Sequence, residues 1–198
     1  MRNKEREYRN INGVLVPNEE KDDSSALILR GTPVVFEKAT CLYEYDGIKY
    51  YEVIDRHAFD GCDFSDFIFN YNHGGRVYAR SRNKTLDYSI TESGIDCVIS
   101  LNAEDEGHRQ LYRDVKSGLI DKMSFSFKVQ EASYDSQTRT RRVLKVKKIY
   151  DFSAVDFPAY EETAISARGF FEEEHEKEFK ALEQAEARKR LIAKTFLF

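Results

Sequence analysis

The sequence has no tryptophan, three prolines and three cysteines in 198 residues. The cysteines, Cys41, Cys62 and Cys97, are odd in number and form no Cys-x-x-Cys pair, so they indicate neither a disulfide framework nor a zinc site. No apolar run approaches the ~20 residues needed to cross a bilayer, and the first ten residues lack the apolar stretch of a secretion signal. We therefore expect a soluble cytosolic protein without a membrane partner.

The sequence also lacks an excess of basic residues over acidic ones. Lys and Arg number 31 against 35 Asp and Glu, which gives a formal net charge of −4. No overall positive field is present to hold a nucleic-acid backbone, so no nucleic-acid partner is expected. Aromatic residues are plentiful, with 14 Phe and 12 Tyr, and this composition is typical of a chain that folds. The length allows one domain and a short appendage.

Most of the chain reads as β structure. Residues 1–25 are predicted to be a lead-in that ends in the polar cluster PNEEKDDSS, with a short strand possible at 11–16. From residue 26 to residue 101, short β-rich runs are separated by Gly or Asp clusters, a spacing that favours a barrel or sandwich. These runs are ALILRG, TPVVFEK, GIKYYEVI, FIFNYN, RVYARS, LDYSI and GIDCVISL.

The periodicity changes after Asn102. Apolar and aromatic residues at helical spacing predict one helix, with Glu104 to Glu106 in its first turn and Gly118 after its end. The following segment, DKMSFSFKVQ, alternates strictly and predicts a strand whose apolar residues share one face. Ser124 and Ser126 lie on the other face and are expected to point away from the core. RVLKVKKIYDFSAVDF predicts one or two further strands, and residues 169–198 predict a charged amphipathic helical tail.

Few chemistries remain open to this sequence. It contains no His-Glu-x-x-His motif, no Cys/His cluster and no phosphate-cradling glycine loop, so no metal and no cofactor is expected. Four histidines occur, at positions 57, 73, 108 and 175. The nucleophile elbow Gly-x-Ser-x-Gly is absent. Acyl transfer by a serine or cysteine that a histidine activates is the chemistry left, and its groups would have to lie on the β scaffold itself.

Three motifs in order resemble the prohead (capsid maturation) proteases of HK97-type tailed bacteriophages. They are the pair Asn72–His73 after an apolar strand, Gly-Leu-Ile-x-x-Met-Ser-Phe at 118–125, and Phe-Pro-Ala-Tyr at 157–160. The resemblance covers roughly residues 26–168. That family is similar to the herpesvirus assembly proteases, which are serine peptidases. The resemblance implies a mainly β fold with helices (α+β): a small closed β-barrel over 26–168 decorated by helices, with the tail at 169–198.

The resemblance also implies a function. It points to a phage-encoded serine endopeptidase that cleaves scaffolding segments of the major capsid protein, and itself, during procapsid maturation. The expected partners are the major capsid protein and its scaffolding segment, with self-association possible. The expected location is the bacterial host cytoplasm, inside the procapsid. The alternative is a non-catalytic capsid assembly or scaffolding factor built on the same barrel, although the intact His73 and Ser124 argue against it.

Carried over by motif, the family's histidine falls on His73 and its nucleophile on Ser124. A serine hydroxyl needs a base to become a nucleophile at neutral pH, and the base needs an acceptor to orient it. Asp151 fills the position at which the family usually has an acidic residue. Asp156 and Glu162 are nearby alternatives for this third role.

The chain departs from the family pattern at two places. Position 126 is serine where family members commonly have glycine, so Ser126 is a rival nucleophile. Arg56-His57-Ala58-Phe59 stands where Pro-Gly-Ala-Phe is typical, which makes His57 another alternative for the third role. The donors that would stabilise an oxyanion have no sequence signal; they would be backbone N–H groups of a loop or a bulge, or an arginine such as Arg80.

Overall fold

The computed structural model describes residues 6–18, 27–156 and 160–195, which form a ten-stranded β-sheet and two α-helices. The strands are β1 (Glu7–Pro17), β2 (Leu27–Val35), β3 (Thr40–Tyr45), β4 (Ile48–Ile54), β5 (Ile68–Tyr71), β6 (Gly74–Arg80), β7 (Leu86–Ile90), β8 (Gly94–Leu101), β9 (Lys122–Asp135) and β10 (Thr140–Val155). The helices are α1 (Glu106–Lys116) and α2 (Tyr160–Thr195), and a 3-10 turn spans Ser81–Asn83.

The sheet is open. Its strand order is β3-β4-β10-β9-β1-β2-β8-β7, and β5 and β6 form a branch beside β10. β10 is 16 residues long, and two strands pair with it in parallel, β4 along residues 140–143 and β5 along residues 151–154. The sheet therefore branches at β10. A closed barrel would instead require its two end strands, β3 and β7, to pair with each other. The mainly β fold with helices is confirmed, but the closed barrel is wrong for the part of the chain described.

Two of the predicted strands are one. ALILRG and TPVVFEK merge into β2, which pairs with β8 on both sides of a register shift between Gly31 and Val34. Pro33 lies in that irregularity, a position that suits a residue without a backbone N–H. The sequence analysis interpreted Gly31-Thr32-Pro33 as a break between two strands.

β1 lies within the segment predicted as a lead-in and is an interior strand of the sheet. It pairs antiparallel with β9 on one side and with β2 on the other. The two pairings use different parts of β1. Residues 7–9 and 13–14 pair with β9, whereas residues 15–17 pair with β2.

The apolar face of β9 forms the centre of the core. Met123, Phe125 and Phe127 are fully buried, as the alternation in the sequence predicts. The rings of Phe125 and Phe127 stack at 4.7 Å between centroids. Phe152 of β10 and Phe67 add a second aromatic contact at 5.0 Å, so the core anchors β9 and β10 side by side.

α1 begins and ends where local chemistry favours it. The Asp105 carboxylate caps α1 by accepting the His108 N–H at 3.1 Å, and Gly118 adopts a φ of 76° just beyond the helix. The predicted C-terminal helix is present but begins at Tyr160, nine residues before the predicted start of the tail. Neither helix offers a stretch of described residues long and apolar enough to span a membrane.

α2 docks on the sheet through a group of aromatic contacts, in which Phe170, Phe171 and His175 meet tyrosines of β3, β4 and β9. Phe171 is fully buried, with its ring centroid 5.2 Å from that of Tyr50 in β4. One turn later, His175 Nδ1 lies 2.9 Å from the Tyr50 hydroxyl. Beyond this contact, Phe179 and Ile192 are exposed, so the distal part of the helix presents apolar side chains to solvent.

Candidate active site

β9 and β10 place four polar side chains on one face. In the antiparallel register Ser124 pairs with Ser153, and Ser126 pairs with Asp151. Because side chains alternate along a strand, these residues lie on the face opposite the core phenylalanines. All four are fully buried.

His73 reaches this face from a tight hairpin turn. β5 and β6 are joined by Asn72 and His73 alone, with Tyr71 paired to Gly74. Both loop residues have positive φ values, 48° and 57°, as a type I′ turn requires. Asparagine tolerates this conformation, but glycine is the usual second residue. A histidine here costs about 1–3 kcal/mol of backbone strain, which suggests that its side chain serves a purpose.

The imidazole of His73 bridges a carboxylate and a hydroxyl. Nδ1 lies 2.7 Å from Asp151 Oδ1, and Nε2 lies 2.6 Å from Ser124 Oγ. With Nδ1 donating its proton to the carboxylate, Nε2 is left as the acceptor for the hydroxyl proton. The fold thus brings together three side chains that lie 51 and 78 positions apart along the chain.

The Asp151 carboxylate stays ionised despite its burial. Burial raises its pKa, but the hydrogen bond from His73, the charge of that ring, and the hydrogen bonds from Ser126 and Ser153 outweigh this effect. The net result is a pKa below the usual value of an aspartate. A buried carboxylate kept charged in this way can orient the imidazole and stabilise its protonated form.

Ser126 faces the outer carboxylate oxygen. Its Oγ donates to Asp151 Oδ2 at 2.5 Å and accepts from the Arg6 guanidinium at 2.9 and 3.2 Å. The hydrogen bond to the imidazole is made by Ser124. Of the two β9 serines, Ser124 therefore contacts the imidazole and Ser126 contacts the carboxylate.

Two further side chains, Ser153 and Asn70, support the histidine, and the sequence analysis did not predict them. Ser153 Oγ lies 2.8 Å from Asp151 Oδ1 and 3.1 Å from His73 Nδ1, and it also contacts the side-chain oxygen of Asn70. Ser153 follows Asp151 by two positions on a strand, so the alternation already placed both on one face. Asn70 reaches the site only because β5 pairs with β10, which no local pattern indicates.

The other candidate residues lie elsewhere or outside the described part. His57 is exposed in the turn after β4, with Nδ1 3.1 Å from Asp60 Oδ2. The Arg80 guanidinium binds Asp66 at 2.7 and 2.6 Å, so its contacts do not support an oxyanion role.

The remaining candidates for the third role lie at the end of β10 and the start of α2. Asp156 is exposed, and its backbone N–H meets the Asn72 side chain at 3.4 Å. The side chain of Glu162 and residues 157–159 of the Phe-Pro-Ala-Tyr motif lie outside the described residues.

Ser124 points away from the core phenylalanines, as the alternation predicts, but it is fully buried. The start of β1 runs antiparallel to β9, with Tyr8 paired to Ser126 and Arg9 paired to Phe125. The Arg9 carbonyl oxygen lies 3.0 Å from Ser124 Oγ. Strand alternation predicted the face on which the serine lies, but it carried no information on what packs against that face.

A buried group of four charges holds the start of β1 in place. Arg9 is fully buried and binds Glu52 of β4 at 2.5 and 2.9 Å. Glu7 contacts Arg9 and accepts from Arg141 of β10 at 2.8 and 3.0 Å. Arg141 also reaches Glu52 at 3.0 Å, so two carboxylates and two guanidinium groups balance each other.

Glu7→Gln should lower the stability of the protein at neutral pH. Burial raises the pKa of Glu7, but the charges and hydrogen bonds of Arg9 and Arg141 lower it to about 2, against 4.5 for a free glutamate. A lowered folded-state pKa contributes stability above the unfolded pKa, and this is lost as pH falls through the folded value. We expect a loss of up to about 3 kcal/mol at pH 7 that shrinks between about pH 4.5 and pH 2.

Urea unfolding of both proteins over this pH range measures the difference. Glu44→Gln is the matched control, because Glu44 is exposed and lies 3.9 Å from Lys49, and it should change the free energy of unfolding by under about 0.5 kcal/mol. A difference between Glu7→Gln and the unsubstituted protein that persists unchanged at low pH would contradict the electrostatic origin of the effect.

The arrangement has the parts needed for nucleophilic acyl transfer: a hydroxyl, a base in contact with it, and a carboxylate that orients the base. Within the described ranges, no three His, Cys, Asp or Glu side chains are grouped so that they could hold a metal ion.

Comparison with protein families gives a match over most of the chain. A family model described as caudovirus prohead serine protease matches residues 15–178. This range contains His73, Ser124 and Asp151, and it begins after the segment that covers Ser124. No match was found among curated proteins or among solved structures.

Proposed function

The chain belongs to the caudovirus prohead serine protease family, and from this premise we propose that it is the endopeptidase that cleaves scaffolding segments of the major capsid protein, and itself, during procapsid maturation. We assign Ser124 as the nucleophile, His73 as the general base and Asp151 as the residue that orients the base. The observation that carries the proposal is the pair of contacts made by one imidazole, 2.6 Å to Ser124 Oγ and 2.7 Å to Asp151 Oδ1.

In the acylation step, Ser124 Oγ attacks the carbonyl carbon of the scissile peptide bond while His73 Nε2 takes the hydroxyl proton. The C–N bond then breaks, and the imidazolium gives this proton to the leaving amine. Asp151 keeps Nδ1 protonated and stabilises the positive ring, because its lowered pKa holds it as a carboxylate. The products of this step are a free amine and an ester on Ser124.

Deacylation repeats the same proton transfers with water. His73 accepts a proton from a water molecule as its oxygen attacks the ester carbonyl, and it returns a proton to Ser124 Oγ as the ester bond breaks. The enzyme is regenerated and a new carboxylate is released. No cofactor enters the balance.

The family supports a proposal for the place of action. A prohead is an immature capsid, and the match to a prohead protease family supports a location inside the procapsid in the host cell. We propose the major capsid protein as the substrate. Confinement of enzyme and substrate in a shell raises their effective concentration, so tight substrate binding is not needed.

A fluorophosphonate probe tests the assignment of the nucleophile. The probe phosphonylates a serine that has an activating base, and fluoride leaves as the new O–P bond forms. After prolonged incubation of the full chain, peptide mapping by mass spectrometry should place the adduct on Ser124. Ser124→Ala should abolish labelling, whereas Ser126→Ala should retain it.

Ser133→Ala is the matched control on the same strand, because Ser133 is exposed near the far end of β9. An adduct on Ser126 in the unsubstituted protein, or labelling that survives in Ser124→Ala, would refute the assignment of Ser124.

A further inference from the structure

The site is closed by part of the same chain. Ser124, Ser126 and Asp151 have no exposed surface, and the His73 side chain is only 4% exposed. Residues 6–9, which we name the N-terminal strap, run alongside β9 next to the serines, and the Arg6 and Tyr8 side chains contact the site. No substrate carbonyl has access to Ser124 while the strap is in place.

Two side chains and one backbone carbonyl of the strap touch the catalytic group. Arg6 binds the Asp151 carboxylate and Ser126. The Tyr8 ring packs edge-on against the His73 ring, 4.7 Å between centroids. The Arg9 carbonyl accepts a hydrogen bond from the Ser124 hydroxyl. The strap thus lies along β9 as an added strand, the way an extended peptide binds to a sheet edge.

We propose that the strap is a self-blocking segment: it occupies the position of the substrate, and the enzyme acts only after residues 6–9 leave β9. This inference rests on the proposed function. It assigns to the chain a latent state, in which the catalytic group is assembled but inaccessible.

The strap opposes catalysis electrostatically as well as sterically. The Ser124 hydroxyl has one proton, and the Arg9 carbonyl competes with His73 Nε2 for it. The Arg6 guanidinium lies on the carboxylate that must stabilise the imidazolium, so its positive charge offsets part of the charge of Asp151. Displacement of the strap removes the competing acceptor and the opposing charge together.

The buried charges permit this displacement. Of the four charged groups behind the site, Glu7 and Arg9 belong to the strap, whereas Glu52 and Arg141 belong to β4 and β10. Each pair is neutral and already in contact, with Arg141 3.0 Å from Glu52. When the strap leaves, neither half of this four-charge group keeps an unpaired charge, and Asp151, which loses Arg6, keeps its hydrogen bonds from His73, Ser126 and Ser153.

The rest of β1 is able to stay in the sheet. A register shift separates Arg9 from Gly13, the next residue paired with β9. Only residues 15–17 pair with β2, so the strap has a single strand partner, β9. The family match begins at residue 15, so the strap lies outside the matched range.

The test is the rate at which the fluorophosphonate probe labels Ser124 in the full chain. Arg6→Ala and Tyr8→Ala each remove one strap contact with the catalytic group and should raise the labelling rate, by about tenfold for the loss of one charge-assisted bond. The double variant should label faster than either. Arg82→Ala and Tyr45→Ala are matched controls at exposed positions and should label at the original rate.

Hydrogen exchange provides a readout independent of catalysis. Backbone amides of residues 7–9 should exchange faster than those of the core strand β9. Arg6→Ala should raise the exchange rate of the strap amides without changing that of the β9 amides. Strap amides as protected as those of β9, or labelling rates equal in the unsubstituted protein and the strap variants, would overturn the inference. Failure of the proposed function has a different signature: the strap exchanges quickly and Ser124 stays unlabelled in every variant.

Discussion

Ser124→Ala is expected to lower the cleavage rate of a co-expressed major capsid protein by about 10⁶-fold, the scale at which loss of a triad nucleophile acts. The reason is that the proposed reaction forms a covalent bond to the Ser124 oxygen, which alanine lacks. Intact-mass spectrometry of the capsid protein and of the protease chain measures both cleavage in trans and self-cleavage.

His73→Ala should cost about as much as Ser124→Ala, and the double variant should cost no more than either alone. Members of a catalytic group act as a unit, so their effects do not add. His73 has a second consequence, because alanine at this positive-φ turn position is strained. His73→Gly relieves that strain and should be equally inactive, which separates the loss of the base from a loss of stability.

Two other serine variants show whether the loss of cleavage is specific to Ser124. Ser126→Ala should lower the rate by about tenfold or less, since it removes one hydrogen bond to Asp151 and leaves the base on Ser124 in place. Ser133→Ala should leave it unchanged. Cleavage that continues at the original rate in Ser124→Ala and stops in Ser126→Ala would show that the nucleophile is the other serine.

Asp151→Asn is expected to reduce the rate by about 10⁴-fold, less than the loss of Ser124. The amide nitrogen can donate to Nδ1 of His73, which would move the ring proton to Nε2 and remove the acceptor for the serine proton. The variant also lacks the negative charge that stabilises the imidazolium. Single-turnover cleavage assays across neutral and alkaline pH measure the loss.

Asp156→Asn is the matched control, because Asp156 is an exposed aspartate five positions later. It should retain activity, as should Glu162→Gln and His57→Ala. If Asp151→Asn cleaves normally while one of these three is inactive, the orienting role belongs to that residue. Thermal unfolding of Asp151→Asn checks that the buried substitution has left the fold intact.

Local patterns in the sequence predicted the elements that carry the site. The alternation of MSFSF predicted both the buried apolar face of β9 and the common face of Ser124 and Ser126. Helical spacing predicted α1, and the charged C-terminal helix was confirmed. These predictions succeed because each depends on a periodicity of 2.0 or 3.6 residues that a short stretch of chain displays completely.

The closed barrel could not be judged from such patterns. A run of short strands has the same alternation in a closed barrel and in an open, branched sheet. The outcome depends on which strands find each other, and here β4 and β5 share one edge of β10. β3 was missed, although Asp46 and Gly47, the turn that joins it to β4, are a strong hairpin signal in the sequence.

What the sequence by itself determined was the composition of each face and, through the family motifs, the candidates Ser124, His73 and Asp151. Only the tertiary structure decided that Ser153 supports the carboxylate and that residues 6–9 cover the nucleophile. The physical reason is distance along the chain: Arg6 and Asp151 are 145 positions apart and meet because β1, β9 and β10 are neighbours in the sheet. Pairing between distant strands leaves no periodic pattern in either segment. The burial of Ser124 by residues 6–9 therefore could not be predicted from the sequence of β1 or β9.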